Sequence, residues 1–177
     1  MMNQEQSLAI ITEMIAEAKA TFRDDGFFYL LWGWATLLAA ISHFALLMLT
    51  GDERSGLIWA IFILGALIAS VIVGRRKTRA AKARTWLMRQ IMYLWTGLGI
   101  VYFLLIGAGI FRFMPFDNVY PVLIMLYGLG TYLSGSFLRF RPLVIGGIIC
   151  WPLGLLTFLV PFQYQLLCIA LGISISY

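Results

Sequence analysis

Apolar residues along this chain fall into long runs separated by short polar breaks, and only one segment shows a helical period. Leu8, Ile11, Ile15, Ala18 and Phe22 recur at three- and four-residue steps, with Glu5, Glu13, Glu17 and Lys19 mostly off that stripe. That spacing predicts an amphipathic helix over residues 1–26 with one buried side, capped by Asn3 or Ser7 and stopped by Gly26. From Phe27 onward the period is lost and the runs are apolar all round, the pattern of helices whose whole circumference faces apolar surroundings. Five such runs are predicted as spans at 27–49, 57–74, 91–111, 122–138 and 143–160. At 1.5 Å per residue, the first can cross the roughly 30 Å of a bilayer's hydrocarbon core; the fourth, 122–138, is a little short. A sixth stretch, 163–177, is shorter and reads as a last span, an interfacial segment or a span cut short. Four breaks read as turns: "TGDERSG" (50–56), "RFMPFDNVYP" (112–121), "RFRP" (139–142) and "PFQYQ" (161–165). The 75–90 segment, "RRKTRAAKARTWLMRQ", is a basic connector rich in helix formers. The runs then pair as three antiparallel hairpins.

Composition fixes the solvent these runs expect. The chain is 62% hydrophobic and 12% charged, against about 45–50% apolar and about 25% charged in soluble domains. A polar surface cannot cover it, so the expected class is an all-α integral membrane protein, with a cytoplasmic amphipathic helix before a transmembrane bundle. The acids among the first 25 residues argue against a cleavable signal peptide, which would begin basic and turn apolar at once. With the N-terminus inside, eleven Lys and Arg fall on cytoplasmic segments and two, Arg54 and Arg112, outside. That bias predicts a multi-pass protein of the bacterial inner (plasma) membrane with a cytoplasmic N-terminus.

The stretches "FFYLLWGW" after an acidic amphipathic helix, "YGLGTYLSGSFLRFRPLVIGGIICW" (127–151) and "YQLLCIALGISISY" (164–177) carry a family resemblance. The chain resembles a group of small multi-pass bacterial inner-membrane proteins with no assigned activity. The resemblance covers most of the chain and implies the membrane class but no mechanism. It also implies a short proline-glycine and basic tail after the last span, so the final span reads as cut short at Tyr177.

Candidate chemistry is sparse. His43, the sole histidine, falls two-thirds along the first run, and no Asp, Glu, Lys or Arg falls within any run. An ionisable group inside a membrane is a functional candidate. Without a neighbouring acid, however, this one reads as a packing histidine bonded to Ser42, Thr157 or a neighbouring backbone. In "GGIICWPLG" (146–154), Pro152 removes a donor near the middle of its run, beside Trp151 and Cys150. Such a kink can expose carbonyls to a cavity. His43, Cys150, Trp151 and Pro152 form the candidate polar site. Gly128, Thr131 and Gly135 have the spacing of a close helix contact. Arg75, Arg76, Lys77, Arg79, Arg139 and Arg141 are candidate contacts for anionic lipid headgroups or a partner. Cys150 and Cys168 fall on different helices at different depths, which opposes a disulfide. No catalytic triad, metal-ligand, phosphate-loop or CxxC pattern is present, so no catalytic residue, metal or cofactor is expected, and no nucleic-acid partner. The leading expectation is a non-catalytic interaction, accessory or regulatory subunit, possible partners being the lipid bilayer, further copies of itself or another membrane protein. The alternative is a small transporter or oligomeric channel for a neutral or anionic small molecule; a lipid-acting enzyme ranks third.

Overall fold

The computed structural model describes residues 27–78 and 86–176. The amphipathic helix expected over 1–26, Arg79 and the side chains of Arg76 and Lys77 lie outside the described residues. Six α-helices follow in order: α1 (Phe27–Thr50), α2 (Ile58–Thr78), α3 (Trp86–Ile110), α4 (Phe116–Leu138), α5 (Arg141–Thr157) and α6 (Phe162–Ser176).

Local chemistry explains the ends. Helix α1 stops where Gly51 takes a left-handed φ of 62° and its N–H closes on the Leu47 carbonyl at 2.9 Å. Asp52 then caps a short 3-10 helix (Glu53–Leu57) by accepting from the Arg54 N–H at 2.9 Å, and the chain runs straight into α2. Helix α4 ends in a left-handed Arg139 with φ 51°, and the Phe140 N–H returns to the Gly135 carbonyl at 2.9 Å, a Schellman closure. Pro142 sits in the first turn of α5, where its missing donor would be unsatisfied in any case.

Helices α4 and α5 share the most extensive contact and run antiparallel, zipped by glycine. A Cβ on Gly147 would stand 2.6 Å from the Tyr132 nitrogen, and one on Gly128 would stand 2.8 Å from the Gly147 carbonyl. Helix α6 lies against α5 and α4, with the Ser176 Cα 2.9 Å from where a Gly146 Cβ would be. Helix α1 packs on α6 through the fully buried Ala40. Ala40, Tyr120, Ile124, Cys150, Leu166, Ile169, Ala170 and Ile173 form the main core. Helix α2 packs on α1 and the 3-10 turn, and α3 leans on α4, where Leu98 and Trp95 face Gly130. Both leave apolar sides uncovered: Ile61, Ile68, Ile100, Phe103 and Leu104 are all exposed.

The chain is all-α, and four of its helical stretches are long and apolar enough to cross a membrane: Phe27–Thr50, Arg54–Arg75, Arg89–Ile110 and Phe116–Leu138. Helices α5 and α6, of 17 and 15 residues, are shorter. Two boundaries correct the pattern reading. The run expected over 143–160 ends as helix at Thr157. Phe158, Leu159 and Val160 instead make tight turns back to Leu155, Leu156 and Thr157, because Pro161 disfavours helical geometry in the residue before it. The run expected from 122 starts at Phe116, so Pro121 is not the edge of a turn but lies inside α4.

Candidate functional site

One end of the bundle holds the α1–α2 and α3–α4 turns together with the end of α5 and start of α6; we call it the turn end. His43 lies there on α1, 4% exposed. Gly51 reverses the chain, and Trp59 lies as far beyond it as His43 lies before it, so the antiparallel return sets the two side by side. The Trp59 indole N–H donates to His43 Nδ1 at 3.0 Å. An indole nitrogen can only donate, so Nδ1 is bare and the proton of a neutral imidazole sits on Nε2. The same ring meets Phe162 of α6 edge-on, with centroids 6.2 Å apart. Phe162 stacks on Tyr120 of α4 at 5.4 Å, and Tyr120 tilts against Trp59 at 6.4 Å. Four rings from α1, α2, α4 and α6 thus close a circuit. His43 Nε2 faces Gly56, 3.9 Å from where a Cβ would stand, and the hydroxyl of adjacent Ser55 is buried with no partner among the described residues.

Next to the circuit is a residue that the sequence pattern hid. Gln165, 1% exposed, sends its amide nitrogen to three carbonyls: Asp117 at 3.0 Å, Val160 at 3.1 Å and Thr157 at 3.2 Å. Pro121 is the reason the first needs it. In an α-helix the carbonyl of residue 117 would accept from the N–H of residue 121, which proline lacks. Gln165 supplies that donor from another helix and, with the same group, ties off the end of α5. Because its nitrogen faces carbonyls, its own Oε1 is left buried without a partner among the described residues. The signal was present in the proline four positions after Asp117, but nothing in sequence marks which distant amide answers it.

The residues of the proposed polar site are not gathered around His43. The histidine lies level with Tyr120 of α4. Trp151 instead packs on Tyr132 with centroids 5.4 Å apart and lies against Gly128, about 12 Å further along α4 at 1.5 Å per residue. Cys150 is fully buried between α4 and α6, its sulfur 3.5 Å from Ser176 Oγ and 3.7 Å from the Gly172 carbonyl. Pro152 is exposed, and α5 stays helical through it. Both cysteines are free. The partner expected for His43 is also corrected: it is an indole on the neighbouring helix, not Ser42 or Thr157, whose hydroxyl returns to the Leu153 carbonyl at 2.7 Å.

Gly128 and Gly135 face α5, whereas Gly130 turns to α3. Thr131 is 2% exposed, its hydroxyl donating to the Tyr127 carbonyl at 2.8 Å. At the other end of the bundle, the Trp95 indole splits its donor between Ser134 Oγ at 3.1 Å and Tyr29 Oη at 3.2 Å, joining α1, α3 and α4. Arg75, Arg139 and Arg141 are exposed at that end, as is Arg89. Among the described residues no group of three His, Cys, Asp or Glu could hold a metal ion.

These arrangements serve packing and polar satisfaction; none pairs a nucleophile with a base. The chain matches no protein-family model, no curated protein and no solved structure, so any functional reading rests on its own residues.

Proposed function

We propose that the chain is a multi-pass protein of the bacterial inner membrane with its N-terminus in the cytoplasm. In this reading its helices form three antiparallel hairpins, and it serves as a non-catalytic interaction, accessory or regulatory subunit. The resemblance to small multi-pass inner-membrane proteins belongs to the same reading. One observation carries it: among the described residues α2 and α3 are long apolar helices docked along one side, with Ile61, Ile68, Phe103 and Leu104 left exposed. Lipid covers such surfaces, and a partner helix can replace lipid at little cost in apolar burial. The transporter reading draws less support from the geometry. A transport site built from the Pro152 kink with Trp151, His43 and the Gly128–Gly135 face would fall where α4 and α5 meet backbone to backbone, with His43 apart from Trp151.

The test is native mass spectrometry of the chain purified in mild detergent, beside uptake assays in proteoliposomes. A co-purifying membrane protein, or a defined oligomer that moves no solute, supports the subunit reading. A bare monomer that moves a small solute across the vesicle membrane overturns it in favour of transport. Purification from the aqueous phase without detergent overturns the membrane reading itself.

A further inference from the structure

The end of the bundle opposite the turn end gathers arginines from three helices. Arg89 stands near the start of α3, Arg139 just past the end of α4 and Arg141 at the start of α5. Ile91, Leu138 and Leu143 pack there into one buried cluster. Each arginine lies within two residues of a cluster member, so the packing holds the three backbones at one level, and all three side chains are exposed. The acids among the described residues, Asp52, Glu53 and Asp117, all belong to the turn end, on the order of 30 Å away along α4. Among the described residues the bundle is therefore polarised, with the cations of the rim at one end and the acids at the other.

Arg139 adds a second observation. Its backbone is left-handed, with φ 51° and ψ 40°, a conformation that glycine adopts freely and arginine does not. Arg112 at the turn end shares that conformation, with φ 59°, so what sets Arg139 apart is its place beside Arg89 and Arg141, at the negative end of the α4 dipole. Beside the rim begins exposed apolar surface: Met92, Tyr93, Phe137, Phe140 and Ile145. A free phosphate ion would satisfy the cations and leave that wall bare. An amphiphile covers both.

We infer that this rim holds the headgroup phosphate of an anionic phospholipid, with Arg89, Arg139 and Arg141 as its cations and the acyl chains on the apolar surface beside them. The inference rests on the membrane reading above. Guanidinium groups suit the site because their planar donor forks match phosphate oxygens.

The test uses the full chain in mild detergent, titrated with phosphatidylglycerol or with phosphatidylcholine of the same acyl chains, and bound lipid is read by native mass spectrometry. The wild-type chain is expected to prefer phosphatidylglycerol. Arg139→Gly relieves the left-handed backbone, so it should fold at least as stably while binding phosphatidylglycerol about fivefold more weakly. The triple variant R89Q/R139Q/R141Q should lose about a hundredfold. Arg112→Gln, at the turn end, should bind as wild type. Wild-type binding by Arg139→Gly, or equal weakening by Arg112→Gln, would overturn the assignment. So would displacement of the lipid by glycerol 3-phosphate at matching concentration, which would mark a free-phosphate site. The two readings fail separately: a chain that stays soluble without detergent refutes the membrane reading. One that needs detergent yet shows no lipid preference refutes only the headgroup site.

Discussion

Gly147→Ala is the most direct probe of the α4–α5 seam. The new methyl would stand 2.6 Å from the Tyr132 nitrogen, 2.7 Å from the Gly128 carbonyl oxygen and 2.8 Å from the Tyr132 Cα. All three obstacles are α4 backbone, so no side-chain rotation can relieve them. The nearest must retreat to at least 3.4 Å, where ordinary contact begins, and the helices have to part. Overpacking of this kind costs about 1–3 kcal/mol, and immovable neighbours place it at the upper end. Alanine returns roughly 1 kcal/mol over glycine inside a helix. The net expectation is a loss of about 2 kcal/mol, or about thirtyfold in the unfolding equilibrium constant. The matched control is Gly97→Ala on α3, where nothing lies within 4 Å of the added Cβ. It should be neutral, or stabilising by up to about 1 kcal/mol. Reversible unfolding in mixed micelles by increasing sodium dodecyl sulfate, followed by tryptophan fluorescence, resolves a gap of that size. If the two variants unfold at the same detergent fraction, the close approach of α4 and α5 does not exist as described.

Three further substitutions probe the turn end and the core. Gln165→Leu keeps an apolar side chain of similar bulk but leaves the Asp117, Thr157 and Val160 carbonyls without their donor. It should cost about 3 kcal/mol or more in the same unfolding assay, and wild-type stability would refute the clasp. Trp59→Phe keeps a ring in the circuit and removes one hydrogen bond, for about 1 kcal/mol. Combined with His43→Phe in a double-mutant cycle, it should show a coupling of similar size, and strict additivity would show that the imidazole and indole do not interact. Maleimide should label half-buried Cys168 well before the fully buried Cys150, so the reverse order by mass spectrometry would contradict the packing of α5 between α4 and α6.

Helix number and most helix centres could be read from the apolar runs, because a run apolar on all sides has few alternatives to helix. Boundaries at proline could not. Pro121 and Pro161 look alike in sequence, each at the edge of a polar turn, the first closing one and the second opening another. Pro161 does end the structure before it, whereas Pro121 is absorbed because Gln165 lends a donor from a helix more than forty residues away. The His43–Trp59 pair was within reach, since equal spacing about Gly51 puts both at one depth in an antiparallel return. The sorting of Gly128 and Gly135 to one neighbour and Gly130 to another follows from 100° of rotation per residue. Which helix occupies each side is a tertiary fact that no local pattern encodes. Gln165 was the hardest to foresee, because all its partners are main-chain carbonyls, which every residue carries.

The clasp also bears on the order in which the molecule can be completed. Ribosomes make α4 before α6, so when the first turns of α4 emerge, the Asp117 carbonyl has no helical partner and its eventual donor is not yet synthesised. Water or another donor must serve that carbonyl until Gln165 arrives. The same amide, on arrival, fixes the last turn of α5 through Thr157 and Val160. Docking of α6 thus completes a helix made before it: without Gln165 in place, a hydrogen-bonding defect stays at the start of α4.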